Sequence, residues 1–463
     1  MPYTPPANDT IAAIATPFGA AGIGIIRISG PESADIMSKL FIPSKKTDTT
    51  VSHRLYHGHI IEMSSGNIID EVLLSYMKAP HSYTREDVVE INSHSGPVLL
   101  SKLLKEILGL GARLAGPGEF TFRAFINGRI DLTQAEAVMD LINTQSERGL
   151  VLTGRQLKGE LGTRITDIRN DLVNILAMTE VAIDFPEEEN EILSREAIMN
   201  TLENNVILPV EGFINAYSGR KAWMEGIDTV ITGRVNAGKS SLMNRLLNEE
   251  KAIVTPFPGT TRDIIESTLY IKGIPLRLMD TAGIREGKGE VEKIGIELSK
   301  KRLEKADLVL AVIDRSRPLN EDDIRLLSSV SKKEAIVVLN KTDLKPQVKE
   351  SDIKPVINDI PIIGVSALTG EGIDALQDTI ASGIIKNDIS TENSLIPNLR
   401  HKTELAEAVV YFKDASRGLK NGAPMELISV DLKGGLECLE KITGESAEDD
   451  LYDSIFSQFC LGK

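Results

Sequence analysis

The chain has 463 residues, a formal net charge of −15 and an apolar fraction of 41%. That length sets an expectation of about three domains with sizeable cores, and the acid excess excludes a surface that grips nucleic acid broadly, since phosphate binding rests on Lys and Arg. No run of about 18 apolar residues predicts a membrane-spanning helix, the start MPYTPPANDTIAAIATPFGA lacks the basic stretch of a signal peptide, and two cysteines, Cys438 and Cys460, fit a reducing cytoplasm rather than a disulfide scaffold.

Residues 1–127 mix strand-like runs with turns. GIGIIRISG and EVLLSYMKAP read as strands, and PVLLSKLLKEILGLG as a glycine-capped helix, so this part is expected to be α+β. His57 and His59 of HGH share one strand face, but nothing supplies a third metal ligand and the reading is structural. From 128 to 221 apolar residues recur at spacings of three and four, as in the stripe Leu157, Leu161, Ile165, Ile168, Leu172 and Ile175, which predicts helices. The acidic run DFPEEENE reads as a solvated connection.

Residues 222–385 change again. DTVITG, PLRLMD, LVLAVID, AIVVLN and PIIGVSA alternate with helical stretches, and four of them are nearly continuous apolar runs, as parallel strands buried on both faces require. The tail 386–463 returns to helical spacing. Helical segments on both sides of a complete α/β unit predict a discontinuous all-α domain interrupted by an inserted one, because insertions succeed where exposed chain ends lie close together. The expected fold class is multidomain: an α+β N-terminal domain, a discontinuous all-α helical domain, and an inserted α/β P-loop domain of Ras-like type.

The inserted part carries the chemistry. GRVNAGKSS follows a strand and opens a helix, the setting of a phosphate-binding loop. Backbone N–H groups from Gly233 through Asn236, Ala237 and Gly238 to Ser241 would cradle phosphates at a helix N-terminus, Lys239 would reach the β- and γ-phosphates, and Ser240 would bind Mg²⁺. In DTAG, Asp280 is the carboxylate on the Mg²⁺ side and the Gly283 N–H meets the γ-phosphate, with Thr281 and Ala282 between them. In IVTPFPGTTRD, the segment Thr255, Pro256, Phe257, Pro258, Gly259, Thr260 and Thr261 is a switch loop, with Thr261 the second Mg²⁺ ligand.

The P-loop alone leaves ATP open. NKTD decides for GTP: Asp343 can accept from guanine N1–H and the N2 amine, a donor pair adenine lacks, while Asn340 meets another ring edge and Lys341 stands between them. Ser366, Ala367 and Leu368 would close over the base.

Together with the N-terminal DTIAAIATPFGAAGIGIIRISG, the stretch PGEFTFRAFINGRIDLTQAEAVMDLI, DTAGIRE and the terminal FCLGK, these motifs make the chain resemble, over essentially its whole length, the tRNA-modification GTPase family. The resemblance implies GTP-dependent addition of an aminomethyl or carboxymethylaminomethyl group at C5 of the wobble uridine of tRNA. It implies a tetrahydrofolate one-carbon donor, 5-formyl- or 5,10-methylene-tetrahydrofolate, and a cytoplasmic homodimer. It also implies a flavin-containing partner that carries FAD in a heterotetramer.

Carried over by position, the family's folate contacts fall on Arg27, Glu86, Arg129 and Lys463, with Arg129 standing where Lys is expected. Cys460 is a candidate for the modification chemistry, as nucleophile or in orienting the base. Ile284 occupies the position where a Ras-type enzyme has its water-orienting glutamine, and the family pattern puts the water-directing acid at Glu292, with Glu286 and Glu290 nearby. In place of an arginine finger the resemblance implies K⁺, held by the Asn236 side chain and by carbonyls of loop 255–260, with Thr255, Phe257 and Thr260 among the ligands, when two G domains face each other. Two rivals remain: a ribosome-assembly switch, which usually carries a basic appendage whereas acids outnumber bases across 386–463, and a GTP-dependent scaffold for the flavin partner.

Overall fold

The structure, a computed structural model, describes residues 9–184, 195–217, 220–224, 226–249, 267–279, 303, 305–331, 333–357, 359–384, 395–446 and 449–463. Two units divide the chain: Met1–Met139, Gly154–Glu211 and Arg400–Lys463 in one, and Asp140–Thr153 with Gly212–Leu399 in the other. Among the described residues no helix is long and apolar enough to cross a membrane.

The first unit holds a seven-stranded sheet of order β3-β4-β5-β6-β2-β1-β7, where β1 is Ile11–Ile14, β2 Ala21–Ser29, β3 Phe41–Pro43, β4 Arg54–Ile61, β5 Ile68–Met77, β6 Val88–Ser95 and β7 Arg113–Leu114. All its pairings are antiparallel except β1 with β7. Alternate residues of the strands are buried, as the period of two requires: Ile26, Ile28, Leu74 and Ile91 pack with Ile36 and Leu40 of helix Ser33–Leu40 and with Leu100, Leu103 and Ile107 of helix Pro97–Gly109. Gly111, two residues past that helix, takes φ +112, a backbone that favours glycine. His57 pairs with Glu71 at 2.6 Å across β4 and β5, and among the described residues no third ligand joins His57 and His59.

The helical stripe is split. Leu157 closes helix Glu147–Leu157, Gly159 turns at φ +84, and Leu161, Ile165, Ile168, Leu172 and Ile175 form the buried face of helix Glu160–Asp184. That face packs on helix Met425–Thr443, and Arg169 donates to Glu440 at 2.9 Å beside it. Each buried Leu or Ile contributes about 1.5–3 kcal/mol. Helix Leu132–Asn143 is tied to helix Leu399–Lys420 by Glu136, which accepts from Arg400 Nε and Nη2 at 2.8 Å each and pairs with His401 Nε2 at 2.5 Å.

The second unit is built on a six-stranded sheet of order β13-β12-β11-β8-β10-β9, where β8 is Ile227–Gly233, β9 Ser267–Ile271, β10 Ile274–Met279, β11 Leu308–Asp314, β12 Ala335–Asn340 and β13 Ile362–Val365. Five strands are parallel and β9 runs antiparallel to β10 at the edge. Every residue of β11 and β12 is buried, because helices cover both faces. Two cores result, one around Ile231, Leu310 and Val338, the other around Ile313, Val337 and Leu339. Sequence reading had not anticipated β9; it joins β10 through Lys272 (φ 49) and Gly273 (φ 79), a two-residue left-handed turn that Lys-Gly signals weakly. Residues 140–153 belong to this unit because Ser146 Oγ donates to the Trp223 carbonyl at 2.6 Å, the Arg148 guanidinium lies 4.3 Å from the Trp223 ring centroid, and Arg220 donates to Asp140 at 2.5 Å.

Candidate functional site

The parallel register brings the C-terminal ends of β8, β11, β12 and β13 to one edge, where ligands of open α/β sheets bind: Gly233 pairs with Val312, Asp314 with Asn340, and Asn340 with Val365. Between β8 and helix Lys239–Glu249 the chain makes a tight loop. An added Cβ on Gly233 would lie 2.3 Å from the Val312 carbonyl oxygen, so the loop's approach to β11 requires glycine there. Asn236 is left-handed at φ 65, uncommon for a non-glycine residue. Lys239 Nζ donates to the carbonyls of Gly233 at 2.8 Å and Arg234 at 2.9 Å, which holds the ammonium at the loop's centre; burial pushes its pKa down, and a bound phosphate would oppose that shift. Ser240 and Ser241 are exposed in the first turn of the helix, where N–H groups and the helix dipole favour anions.

The base-reading motif is braced from three sides. Asn340, 1% exposed, donates through Nδ2 to the Ala237 carbonyl at 2.9 Å, and its Oδ1 accepts from the N–H groups of Lys341 at 2.9 Å and Ala367 at 3.1 Å. Its side chain therefore locks the P-loop, NKTD and SAL together. Lys341 Nζ donates to the Asn236 carbonyl at 2.9 Å and to Asp314 Oδ2 at 2.7 Å. The exposed Asp343 is oriented by Ser366, whose hydroxyl donates to it at 2.6 Å while accepting from the Thr369 N–H at 3.1 Å. Arg245, from the helix after the P-loop, donates to the carbonyls of Ala367 and Leu368. Arg234, in the same loop, is paired with Asp323 at 3.1 Å. Asp314, a buried acid the sequence reading passed over, was visible only as the last residue of LVLAVID.

In the first unit the sequence-selected residues meet around the C-terminal tail. Phe459 packs with Phe122 and Phe456, Gly118 N–H donates to the Cys460 carbonyl at 3.4 Å, and Phe120 N–H donates to the Lys463 carbonyl at 3.2 Å. Gly462 takes φ +86, and a Cβ there would lie 2.5 Å from the Ile14 carbonyl oxygen. Arg27 Nη1 donates to the Gly462 carbonyl at 3.1 Å and its Nε to Glu90 at 2.8 Å, while its guanidinium lies 5.4 Å from the Tyr83 ring centroid and 5.6 Å from that of Phe120. The Arg129 guanidinium lies 4.7 Å from the same Tyr83 ring, with Nη1 donating to the Tyr83 carbonyl at 3.0 Å. Arg27, Arg129 and the Lys463 backbone are thus gathered about Tyr83 and Phe120, two aromatics that the sequence reading missed. Glu86 accepts from Ser29 Oγ at 2.7 Å and from the fully buried Arg123 at 3.2 Å. The Cys460 side chain is exposed and Cys438 is buried.

Thr255, Pro256, Phe257, Pro258, Gly259, Thr260, Thr261, Asp280, Thr281, Ala282, Gly283, Ile284, Glu286, Glu290 and Glu292 lie outside the described residues.

A P-loop at the end of the parallel strand β8, with NKTD at the end of β12 and SAL at the end of β13, defines a P-loop GTPase of Ras-like type set into an α-helical and α+β chain. A family model described as the MnmE helical domain matches residues 132–460, and one described as the GTP-binding protein TrmE N-terminus matches residues 10–129. The protein called tRNA modification GTPase MnmE is 44% identical in Alkaliphilus oremlandii over 98% of this chain and 99% of that protein, and 43% identical in Bacillus subtilis over 98% of this chain and 100% of that protein. Among solved structures, the G domain of the T. maritima FeoB iron transporter is 28% identical over 34% of this chain and 98% of its own, with a TM-score of 0.26. The chain belongs to the MnmE family of tRNA modification GTPases.

Proposed function

We propose that this chain is a cytoplasmic GTPase that couples hydrolysis to modification of the wobble uridine of tRNA at C5, with a flavin-containing partner and a tetrahydrofolate one-carbon donor. Family membership over the full chain supports the reaction, and the observation that carries the nucleotide part is the Asn340 side chain, which binds P-loop, NKTD and SAL into one site. The domain limits proposed are 1–127, 128–221, 222–385 and 386–463.

In this reading the chain's residues divide the work. Backbone N–H groups of Gly233–Ser241 and the Lys239 ammonium bind phosphate oxygens, and Asp343, held by Ser366, selects guanine. The exposed Ser240 hydroxyl suits Mg²⁺, with Thr261 completing the set, and the neutral Asn236 oxygen with loop carbonyls suits the larger K⁺, which does not demand tight octahedral geometry. Cations held by these residues would supply positive charge against the negative charge that develops on the phosphates. Glu292 orients the attacking water in place of the missing glutamine. Around Tyr83 and Phe120, the guanidinium groups of Arg27 and Arg129 offer a cationic, aromatic-backed surface that fits a flat folate ring with an anionic tail, next to Glu86, Lys463 and Cys460. Homodimerisation would bring two G domains face to face.

Nucleoside analysis of tRNA from a strain lacking this chain tests the proposal: the modified wobble uridine should disappear, and the wild-type chain should restore it. Undiminished modification in the deletion strain would overturn it. The base-reading assignment has its own test. Asp343→Asn removes the acceptor of two guanine donors, so GTP affinity should fall by about 100-fold while xanthosine triphosphate gains; wild-type GTP affinity in that variant would remove Asp343 from the role.

A further inference from the structure

We infer that Asp314 is a positioning residue of the nucleotide site: its carboxylate holds the Lys341 ammonium against the Asn236 carbonyl and so fixes the P-loop conformation that presents the Asn236 side chain. Asp314 ends β11 in register with Asn340, so the strand pairing itself carries the acid beside NKTD. Oδ2 accepts from Lys341 Nζ at 2.7 Å, and Oδ1 accepts from the Ser316 N–H at 2.9 Å and hydroxyl at 2.6 Å. Arg317 Nε lies 3.8 Å away on the same acid. Burial would raise the Asp314 pKa, but these donors outweigh it and hold it lowered, so the acid stays charged at neutral pH.

The second half of the relay is backbone strain. Asn236 at φ 65 and Lys341 at φ 71 are both left-handed without being glycine, a conformation that costs about 1–2 kcal/mol per residue and persists only where the surroundings over-determine it. One hydrogen bond joins the two, from Lys341 Nζ to the Asn236 carbonyl at 2.9 Å. The lysine reaches that carbonyl across the ends of two strands, and its other acceptor is Asp314. Without the acid, the ammonium has solvent as its better partner, and the loop loses the tether that keeps Asn236 left-handed. Because Asn236 is the proposed K⁺ ligand, the effect on K⁺ rests on that reading, whereas the effect on nucleotide affinity does not.

The test uses the full-length chain as wild type, Asp314→Asn, Asp314→Ala and Asp314→Glu. A fluorescent GDP analogue is titrated, and GTPase rates are measured over GTP and K⁺ concentration, with Na⁺ at matched ionic strength as control. Asp314→Asn should weaken GDP binding by about tenfold, as the loss of a charged hydrogen bond predicts. The KM for GTP and the K⁺ midpoint should rise while turnover recovers at saturation, and Asp314→Glu should restore part of the affinity. Unchanged GDP affinity and KM in both the Asn and Ala variants would overturn the inference. So would a lowered melting temperature with unchanged affinity in the folded fraction, since that marks a stability role alone. Equal wild-type rates in Na⁺ and K⁺ would instead sink the K⁺ reading of Asn236, and GDP affinity would then decide on Asp314.

Discussion

Glu136→Ala is expected to destabilise the helical part of the chain by about 3–5 kcal/mol, the range for removing one partner of a buried ion pair. Burial alone would raise the Glu136 pKa, but the charges and hydrogen bonds of His401 and Arg400 outweigh it and hold the carboxyl well below its usual range. Deleting the acid leaves the Arg400 guanidinium, which keeps the carbonyls of Lys441 and Ile442 at 2.8 and 3.1 Å, and the His401 ring, 1% exposed, without their shared anion. A group whose folded pKa is depressed stabilises the fold above its unfolded pKa, and the contribution fades as pH falls through the folded value. The gap between wild type and variant should therefore be full at neutral pH and shrink only in strong acid. Hydrogen exchange across Leu132–Asn143 and Leu399–Lys420 reads this locally. Protection in the variant equal to wild type at neutral pH would show that the pair contributes nothing net.

The parallel strands and the phosphate loop were legible because their signals are local. Continuous apolar runs such as LVLAVID mark strands covered on both faces, and GRVNAGKSS states its own turn chemistry. The α+β start and the helical stripe were legible for the same reason, apart from the break at Gly159, where one glycine among periodic residues gave little warning. What the sequence could not display is pairing between distant segments. Nothing in IVVLNKTD says that the Asn340 amide reaches Ala237 and Ala367, or that Lys341 finds Asp314, because strand order brings those groups together. The tail shows the same limit: Arg27 and Gly462 stand far apart in sequence, and only the folded sheet sets the guanidinium on the tail's carbonyl. Tyr83 and Phe120 look like ordinary core aromatics until both arginines are seen beside them.

Gly238→Ala should all but abolish nucleotide binding. Gly238 takes φ +95, and a Cβ placed on it would lie 2.1 Å from Asn340 Nδ2, an amide with no room to retreat. Moving Asn340 breaks its bond to Ala237 and loosens the ones it accepts from Lys341 and Ala367, so P-loop and base-reading segments come apart together. The left-handed backbone costs an alanine about 1–2 kcal/mol, and unsatisfied buried polar groups add about 1–3 kcal/mol. Summed, the penalty corresponds to a loss of GTP affinity of about 100-fold or more. Gly273→Ala separates the two causes. That residue is also left-handed at φ +79, but an added Cβ meets nothing within 4 Å, and it sits in the β9–β10 turn away from the loop. It should lose a little stability and keep its nucleotide affinity. If titration with a fluorescent GDP analogue gave Gly238→Ala the affinity of wild type, the close approach of the P-loop to Asn340 would not be what shapes this site, and the brace assigned to Asn340 would fall with it.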